Sequence, residues 1–146
     1  MIAELIAATI GTVAFSLLFG VPRRFYLDCG LIGMAGWLVY RLMPLLGMGN
    51  TFSVFFAAVV IITLSRITAV LRMCPATVFM ITGIFPLVPG AQIYWSAYYL
   101  VTNQVEQALS SGFTALKVII AIVLGIIVVF EVPNHVFRGF HKKPRT

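Results

Sequence analysis

The residues with the clearest potential for chemistry form the run GIFPLVPG, residues 83–90, inside a long apolar segment. Pro86 and Pro89 lack the amide hydrogen that would bond four residues back in a helix, so the carbonyls of Thr82 and Phe85 are predicted to lose their usual partners. Hydrocarbon offers no water to replace them, and irregular backbone at membrane depth is tolerated where protein covers it or where it lines a wet cavity. The run therefore predicts either a solute-binding site or a kink that neighbouring helices seal.

Free backbone amides after such a break would suit recognition of an anion. Pro89 is predicted to occupy the first helical position after the break, which leaves the amides of Gly90, Ala91 and Gln92 without helical partners. The amino terminus of a half-helix carries about half a positive charge, which suits a carboxylate. The side chains of Gln92 and Tyr94 are predicted to add orienting hydrogen bonds.

Two arginines within apolar segments, Arg41 and Arg66, are candidates to add positive charge to this site. An arginine is costly at the centre of a membrane helix and much less so near the interface, where its long stem can snorkel. Arg41 lies near the end of its segment, so snorkelling or structural pairing competes with a role toward an anionic solute. Arg66 lies more than one turn deeper than the boundary charge Arg72 and is predicted to face the bundle interior.

The chain has few residues that could act in catalysis. No pair of acids is placed for proton work, and Ser, His and Asp do not converge on one helix face. The two cysteines follow no metal-ligand spacing and are predicted to be small buried residues. We therefore expect no enzyme, metal or cofactor here, and any group that couples protons or sodium must lie outside this chain. The four acids lie near helix ends or in a loop, at Glu4, Asp28, Glu106 and Glu131.

The composition indicates an integral membrane protein. Of 146 residues, 61% are hydrophobic and 10% are charged, against about 25% charged in soluble proteins, and the mean hydropathy is +1.06. The net charge of +6 includes four basic residues among the last nine. Basic and aromatic residues do not interleave along an exposed face, so a topology signal is favoured over nucleic-acid binding.

The apolar runs predict an all-α, polytopic membrane bundle with five transmembrane helices, in a single domain of residues 1–146. A cleaved signal peptide is the rival interpretation of the first run, which lacks a basic region before it. The fourth run is about 40 Å long as a helix, too long for one straight crossing of about 30 Å. It is predicted to form two offset half-helices joined at residues 86–90. The predicted spans are 2–19, 31–46, 52–71, 76–102 and 113–131, followed by a basic cytoplasmic tail at 132–146.

The small residues predict how the helices pack, and the positive charges predict how the protein is oriented in the membrane. Gly30, Gly33 and Gly36 predict close helix packing along one side of the second span. With five crossings, the loops holding Arg23 and Arg72 share one side with the basic tail, which the positive-inside rule places in the cytoplasm and the amino terminus outside. An aromatic belt is predicted at the far interface, formed by Tyr94, Trp95, Tyr98 and Tyr99.

Several motifs resemble those of the threonine/serine exporter family. The resemblance spans essentially the whole chain and is closest to the small, separately encoded subunit of the split form. It implies a multi-pass protein of the bacterial inner membrane that works with a larger partner subunit; fused members hold both parts in one chain of about ten helices. The motifs are FGVPRR at 19–24, CGLIG at 29–33, Ser65-Arg66, CPATVF at 74–79 and FPLVPG at 85–90 with Tyr94.

The resemblance also implies a substrate class. Split members are associated with export of dicarboxylates such as succinate, and fused members with threonine and serine, so a small dicarboxylate is favoured and threonine or serine is the alternative. A scaffold subunit that stabilises its partner without transporting is a rival from another class. The family offers no catalytic set to carry over, so the site residues rest on the physical argument above.

Overall fold

The computed structural model describes residues 2–133, and the predicted basic tail beyond them lies outside the described residues. Short 3-10 turns lie at Arg23–Phe25, Met43–Leu46 and Phe85–Leu87. The described part of the chain contains no strand, which confirms the all-α prediction. Its helices are α1 (Ile2–Leu18), α2 (Tyr26–Leu42), α3 (Asn50–Arg72), α4 (Thr77–Ile84), α5 (Gly90–Val101) and α6 (Val105–Glu131).

Three helical stretches of the described chain are long and apolar enough to cross a membrane: Arg23–Leu46, Asn50–Arg72 and Val105–Glu131. The stretches Thr77–Leu87 and Gly90–Val101 together form a fourth candidate, bent by 54°. The helix α1 is apolar but has only 17 residues. The described residues therefore give a multi-pass bundle with three to four candidate spans, and five crossings remain a prediction.

The centre of the bundle is α3, which packs against α2, α4 and α6. Its residues Ala57, Ala58 and Ile61 are almost completely buried. The helix α1 packs against α2 and α4 on one side, while α5 packs mainly against α6 on the other. The core thus lies around α3, and the two halves of the broken segment differ in how deeply they enter it.

The glycines of α2 are used for close packing, as predicted, but they do not all lie along one side of the helix. A Cβ atom added to Gly33 would lie 2.1 Å from Thr12 Oγ1 on α1, and one added to Gly36 would lie 2.3 Å from Ile61 Cδ1 on α3. Because the two glycines face different neighbours, α2 is held closely on both sides.

Two helices begin more than one turn earlier than the sequence predicts. The helix α2 begins at Tyr26 rather than at 31, directly after a 3-10 turn. The helix α6 begins at Val105 rather than at 113, so most of residues 103–112, which were predicted to connect the fourth and fifth spans, are helical. The reason is tertiary: Ser96 Oγ on α5 donates a hydrogen bond of 2.9 Å to the Ala108 carbonyl, so polar residues that resemble a loop pack as a helix against α5.

Arginines join helix ends at one end of the bundle. Arg72 Nη2 at the end of α3 lies 2.9 Å from Asp28 Oδ1 in the first turn of α2. Arg66, also on α3, donates hydrogen bonds to the carbonyls of Val129 and Val132 at the end of α6. The start of α2 and the ends of α3 and α6 therefore lie at the same end of the bundle.

Candidate functional site

The backbone between α4 and α5 makes two tight turns. The Val88 N–H donates to the Phe85 carbonyl at 3.2 Å, and the Gly90 N–H donates to the Val88 carbonyl at 2.8 Å. Pro89 has φ −78° and ψ 55°, the conformation of an inverse γ-turn. The structure thus contains the helix break that the two prolines predict.

The Phe85 carbonyl loses its usual partner at residue 89, as predicted, and a 3-10 turn supplies the Val88 N–H to it instead. Two other predicted details of this break are wrong. Pro89 precedes α5 as its N-cap, and the γ-turn uses the Gly90 N–H, which was predicted to be free. The amides of Ala91 and Gln92 have no backbone acceptor within residues 2–133, so α5 offers two such donors rather than three.

A cavity of about 180 Å³ lies at the break. Its walls come from residues 86–92, from the end of α2, from the start of α3 and from Val118 on α6. No side chain of this lining is charged. On the α2 and α3 side, the Tyr40 hydroxyl donates a hydrogen bond of 2.9 Å to Asn50 Oδ1. We call this space the break cavity.

The structure brings five of the eight predicted site residues to the break cavity and leaves three elsewhere. Their role in binding a solute stays a prediction. The residues of the cavity wall are Pro86, Pro89, Gly90, Ala91 and Gln92. The residues outside it are Tyr94, Arg41 and Arg66.

Tyr94 lies on the exposed face of α5, where 62% of it is accessible. Its ring centroid lies 5.4 Å from that of Trp95 and 6.4 Å from that of Tyr98. The predicted aromatic residues therefore do form one cluster along this helix, on its outer surface.

Arg41 pairs with an acid near the start of α1. Its Nε lies 2.9 Å from Glu4 Oε2, and the two side chains are 46% and 42% exposed. Glu4 also lines a second, apolar cavity of about 290 Å³, whose wall includes Trp37 and Pro86. Of the two alternatives for Arg41, the described contacts favour structural pairing.

Arg66 is buried, with 7% exposure, as its position in the sequence predicts. Its guanidinium lies 5.3 Å from the Phe130 ring centroid in addition to its bonds to the end of α6. The last carbonyls of a helix lack intrahelical partners, so Arg66 caps α6. These contacts direct its charge to α6 and away from the break cavity.

The cysteines have the environments of structural residues. Cys29 is completely buried. Cys74 is partly buried in the loop after α3, and burial raises the pKa of its thiol above the ordinary value. Because the thiolate is the reactive form, a raised pKa lowers its reactivity at neutral pH.

Seven residues of the break cavity wall were not among the predicted site residues, and three of these carry polar groups: Trp37, Tyr40 and Asn50. Trp37 resembles any other apolar residue of a membrane helix, yet its Nε1 is buried and has no hydrogen-bond partner in the described structure. Tyr40 and Asn50 flank the short turn between α2 and α3. Polar side chains on either side of a short helix–helix connection lie close together, and this was the available signal.

The bundle and its break define a class: a polytopic α-helical membrane protein with a discontinuous helix beside an uncharged cavity. The chain belongs to the family described as Threonine/Serine exporter, ThrE, whose model matches residues 4–132. This match confirms the family that the sequence motifs suggest, and the family is one of membrane exporters.

A curated relative is an uncharacterized protein of Haemophilus influenzae (strain Rd). It is 25% identical over 134 residues, which cover 86% of this chain and 45% of the relative. The chain thus spans less than half the length of that relative. No solved structure matches the chain.

Proposed function

We propose that this chain is the small subunit of a two-component exporter of small carboxylates in the bacterial inner membrane, with succinate or a similar dicarboxylate as its solute. The observation that carries the proposal is the break cavity, which lies beside the amino terminus of α5 in a member of an exporter family. The motifs shared with the split form favour a dicarboxylate. Threonine or serine is the alternative solute.

In this proposal the cavity binds a carboxylate through backbone dipoles. The amides of Ala91 and Gln92 lie in the first turn of α5, where a helix presents about half a positive charge. A Cβ added to Gly90 would meet nothing within 4 Å, so a solute can approach the backbone closely there. The volume of about 180 Å³ suits a small solute, since pockets for drug-sized ligands hold about 300–1,000 Å³.

The proposed larger subunit completes this site. The lining of the break cavity carries no charged side chain that could neutralise a dianion or couple an ion. The Haemophilus relative is more than twice as long as the part this chain matches. A partner polypeptide that corresponds to the rest of such a chain would supply the missing groups.

We further propose one transmembrane domain with five crossings, a periplasmic amino terminus and a cytoplasmic carboxyl terminus. The arginine contacts at the start of α2 and the ends of α3 and α6 support a common cytoplasmic side. The helix α6 has 27 residues, about 40 Å, so its start lies at the opposite end of the bundle. Since α5 leads directly into that start, a traverse fits the broken segment better than a re-entrant loop.

Export by cells tests the proposed site. With the chromosomal gene replaced by a Gly90→Leu or Gln92→Ala variant, we expect efflux of labelled succinate to fall by about tenfold or more, because the first substitution fills the cavity and the second removes a polar group from its wall. Labelled threonine, measured in parallel, separates the two solute classes.

Ala97→Leu is the matched control for Gly90→Leu. Ala97 lies on the same helix, is exposed and is not part of the break cavity wall. Normal efflux from Gly90→Leu cells that contain normal amounts of the protein would contradict the proposal.

A scaffold that only stabilises the partner is the second candidate function. The absence of buried residues on α5 favours it, because an unburied helix is available for docking. Cells that lack this chain and overproduce the partner distinguish the two: a scaffold predicts residual export, and a transporting subunit predicts none.

A further inference from the structure

Trp37 carries a hydrogen-bond donor that nothing in residues 2–133 satisfies. Its indole Nε1 is buried and has no acceptor. The indole group can donate but cannot accept, so only an acceptor can satisfy it. Buried polar groups in folded proteins nearly always have partners, and an exception calls for an explanation, such as a functional role or a bound water or ion.

The position of Trp37 connects this donor to the break cavity. Trp37 and Pro86 form part of the wall of the break cavity and part of the wall of the 290 Å³ cavity beside Glu4. The Trp37 ring centroid lies 5.1 Å from that of Tyr40, whose hydroxyl bonds to Asn50. The orphan donor thus belongs to a cluster of polar side chains at the cavity.

Hydrogen-bond donors outnumber acceptors among the side chains of the break cavity wall and the free backbone amides at the start of α5. Asn50 Oδ1 already accepts from Tyr40, which leaves the Asn50 amide hydrogens to donate. The amides of Ala91 and Gln92 have no backbone acceptor in the described chain. A ligand that satisfies these donors must offer several lone pairs, and a carboxylate does so with two oxygens.

We propose that Trp37 is a solute-binding residue, whose indole N–H donates a hydrogen bond to a carboxylate oxygen of the solute in the break cavity. This inference rests on the proposed function of the cavity and adds a residue that recognises the solute. In the conformation described here Nε1 is covered, so binding includes a rotation of the ring about χ2, a torsion with a broad range. Because the solute satisfies the orphan donor, it favours the conformation in which the ring has turned.

The two tryptophans of the chain provide a matched pair of variants. Trp37→Phe keeps an aromatic ring and removes the N–H group. Trp95→Phe makes the same change on the exposed face of α5, where 46% of the residue is accessible. With the full chain and its partner in native membranes, we expect Trp37→Phe to weaken binding of labelled succinate about tenfold and Trp95→Phe to leave it unchanged.

A second measurement covers the case in which Trp37→Phe fails to accumulate. The wild-type chain labelled with 5-fluorotryptophan and reconstituted with an unlabelled partner in lipid nanodiscs has one ¹⁹F resonance for each tryptophan. We expect succinate to shift the Trp37 resonance and to leave the Trp95 resonance in place. Succinamide, which has the same carbon skeleton without charge, is expected to shift neither.

The outcomes separate this inference from the proposed function. Wild-type affinity in Trp37→Phe, an unmoved Trp37 resonance, or equal effects of succinate and succinamide would each overturn the role of Trp37. If Gly90→Leu still abolishes export in that case, the proposed function stands. If the wild-type chain with its partner binds neither succinate nor threonine, both proposals fail.

Discussion

Gly33 allows α1 and α2 to approach each other because it has no side chain. A Cβ there would lie 2.1 Å from Thr12 Oγ1 and 2.8 Å from Thr12 Cβ. Thr12 is completely buried and donates a hydrogen bond of 2.8 Å to the Ala8 carbonyl, so it has little room to move. Gly33→Ala is therefore expected to destabilise the chain by about 1–3 kcal/mol through overpacking. Thermal unfolding in detergent measures this as a lower midpoint.

Gly11→Ala is the control, since Gly11 is also within a helix but a Cβ there would meet nothing within 4 Å. This variant is expected to keep its midpoint or to gain about 0.5–1 kcal/mol, because alanine loses less backbone entropy than glycine. Equal losses in both variants would contradict the packing argument.

At the scale of the residue, local backbone effects could be predicted from the sequence, whereas contacts between distant residues could not. The prolines predicted the location of the break because their missing amide hydrogens act locally. The pairing of Arg41 with Glu4 could not be predicted, because the two residues lie 37 positions apart and only the packing of α1 on α2 brings them to 2.9 Å. For the same reason, Trp37 could not be assigned to the cavity from its position in an apolar helix.

At the scale of the element, the break between α4 and α5 depends on Pro86 and Pro89. Each proline in a helix interior costs about 3 kcal/mol, so the double variant Pro86→Ala, Pro89→Ala is expected to favour a continuous helix. A continuous helix would remove the γ-turn and the break cavity. We expect this variant to show an unchanged or higher unfolding midpoint and at least tenfold lower export.

Pro44→Ala is the matching control, because Pro44 lies in the 3-10 turn after α2 and outside the cavity wall. It is expected to export normally. Normal export from the double variant would show that the solute does not require the break.

Helix boundaries were predictable where glycine, proline or arginine ends an apolar run, as at the end of α3. They were not predictable at the start of α6, where residues 105–112 are polar enough to resemble a loop. The hydrogen bond from Ser96 to the Ala108 carbonyl stabilises the helix at this point, and such a contact cannot be predicted from composition.

At the scale of the whole molecule, the proposed topology places the loop after α1 in the cytoplasm and the loop after α5 in the periplasm. In a background with Cys29 and Cys74 replaced by serine, Asn103→Cys is expected to react with a membrane-impermeant maleimide in spheroplasts. Arg23→Cys is expected to react only in inverted vesicles, because its loop lies on the side of the positive charges. Labelling of both residues from the same side would contradict five crossings.

The general architecture followed from composition, because a chain that is 61% hydrophobic can satisfy its backbone in lipid only as helices or a closed barrel. The number of crossings did not follow from composition. The helix α1 is short, and α4 and α5 qualify as a span only as a bent pair.

The two halves of the broken segment, α4 and α5, differ in how deeply they are buried. Phe79 of α4 is completely buried in the core, whereas no residue of α5 is buried and its main neighbour is α6. A displacement of α4 would disrupt the core around α3, while a displacement of α5 would disturb mainly its packing against α6 and would expose none of its own buried residues, since it has none. The part of the break cavity wall that α5 forms is therefore expected to open at the lowest cost in free energy. We expect the solute to enter and leave on that side.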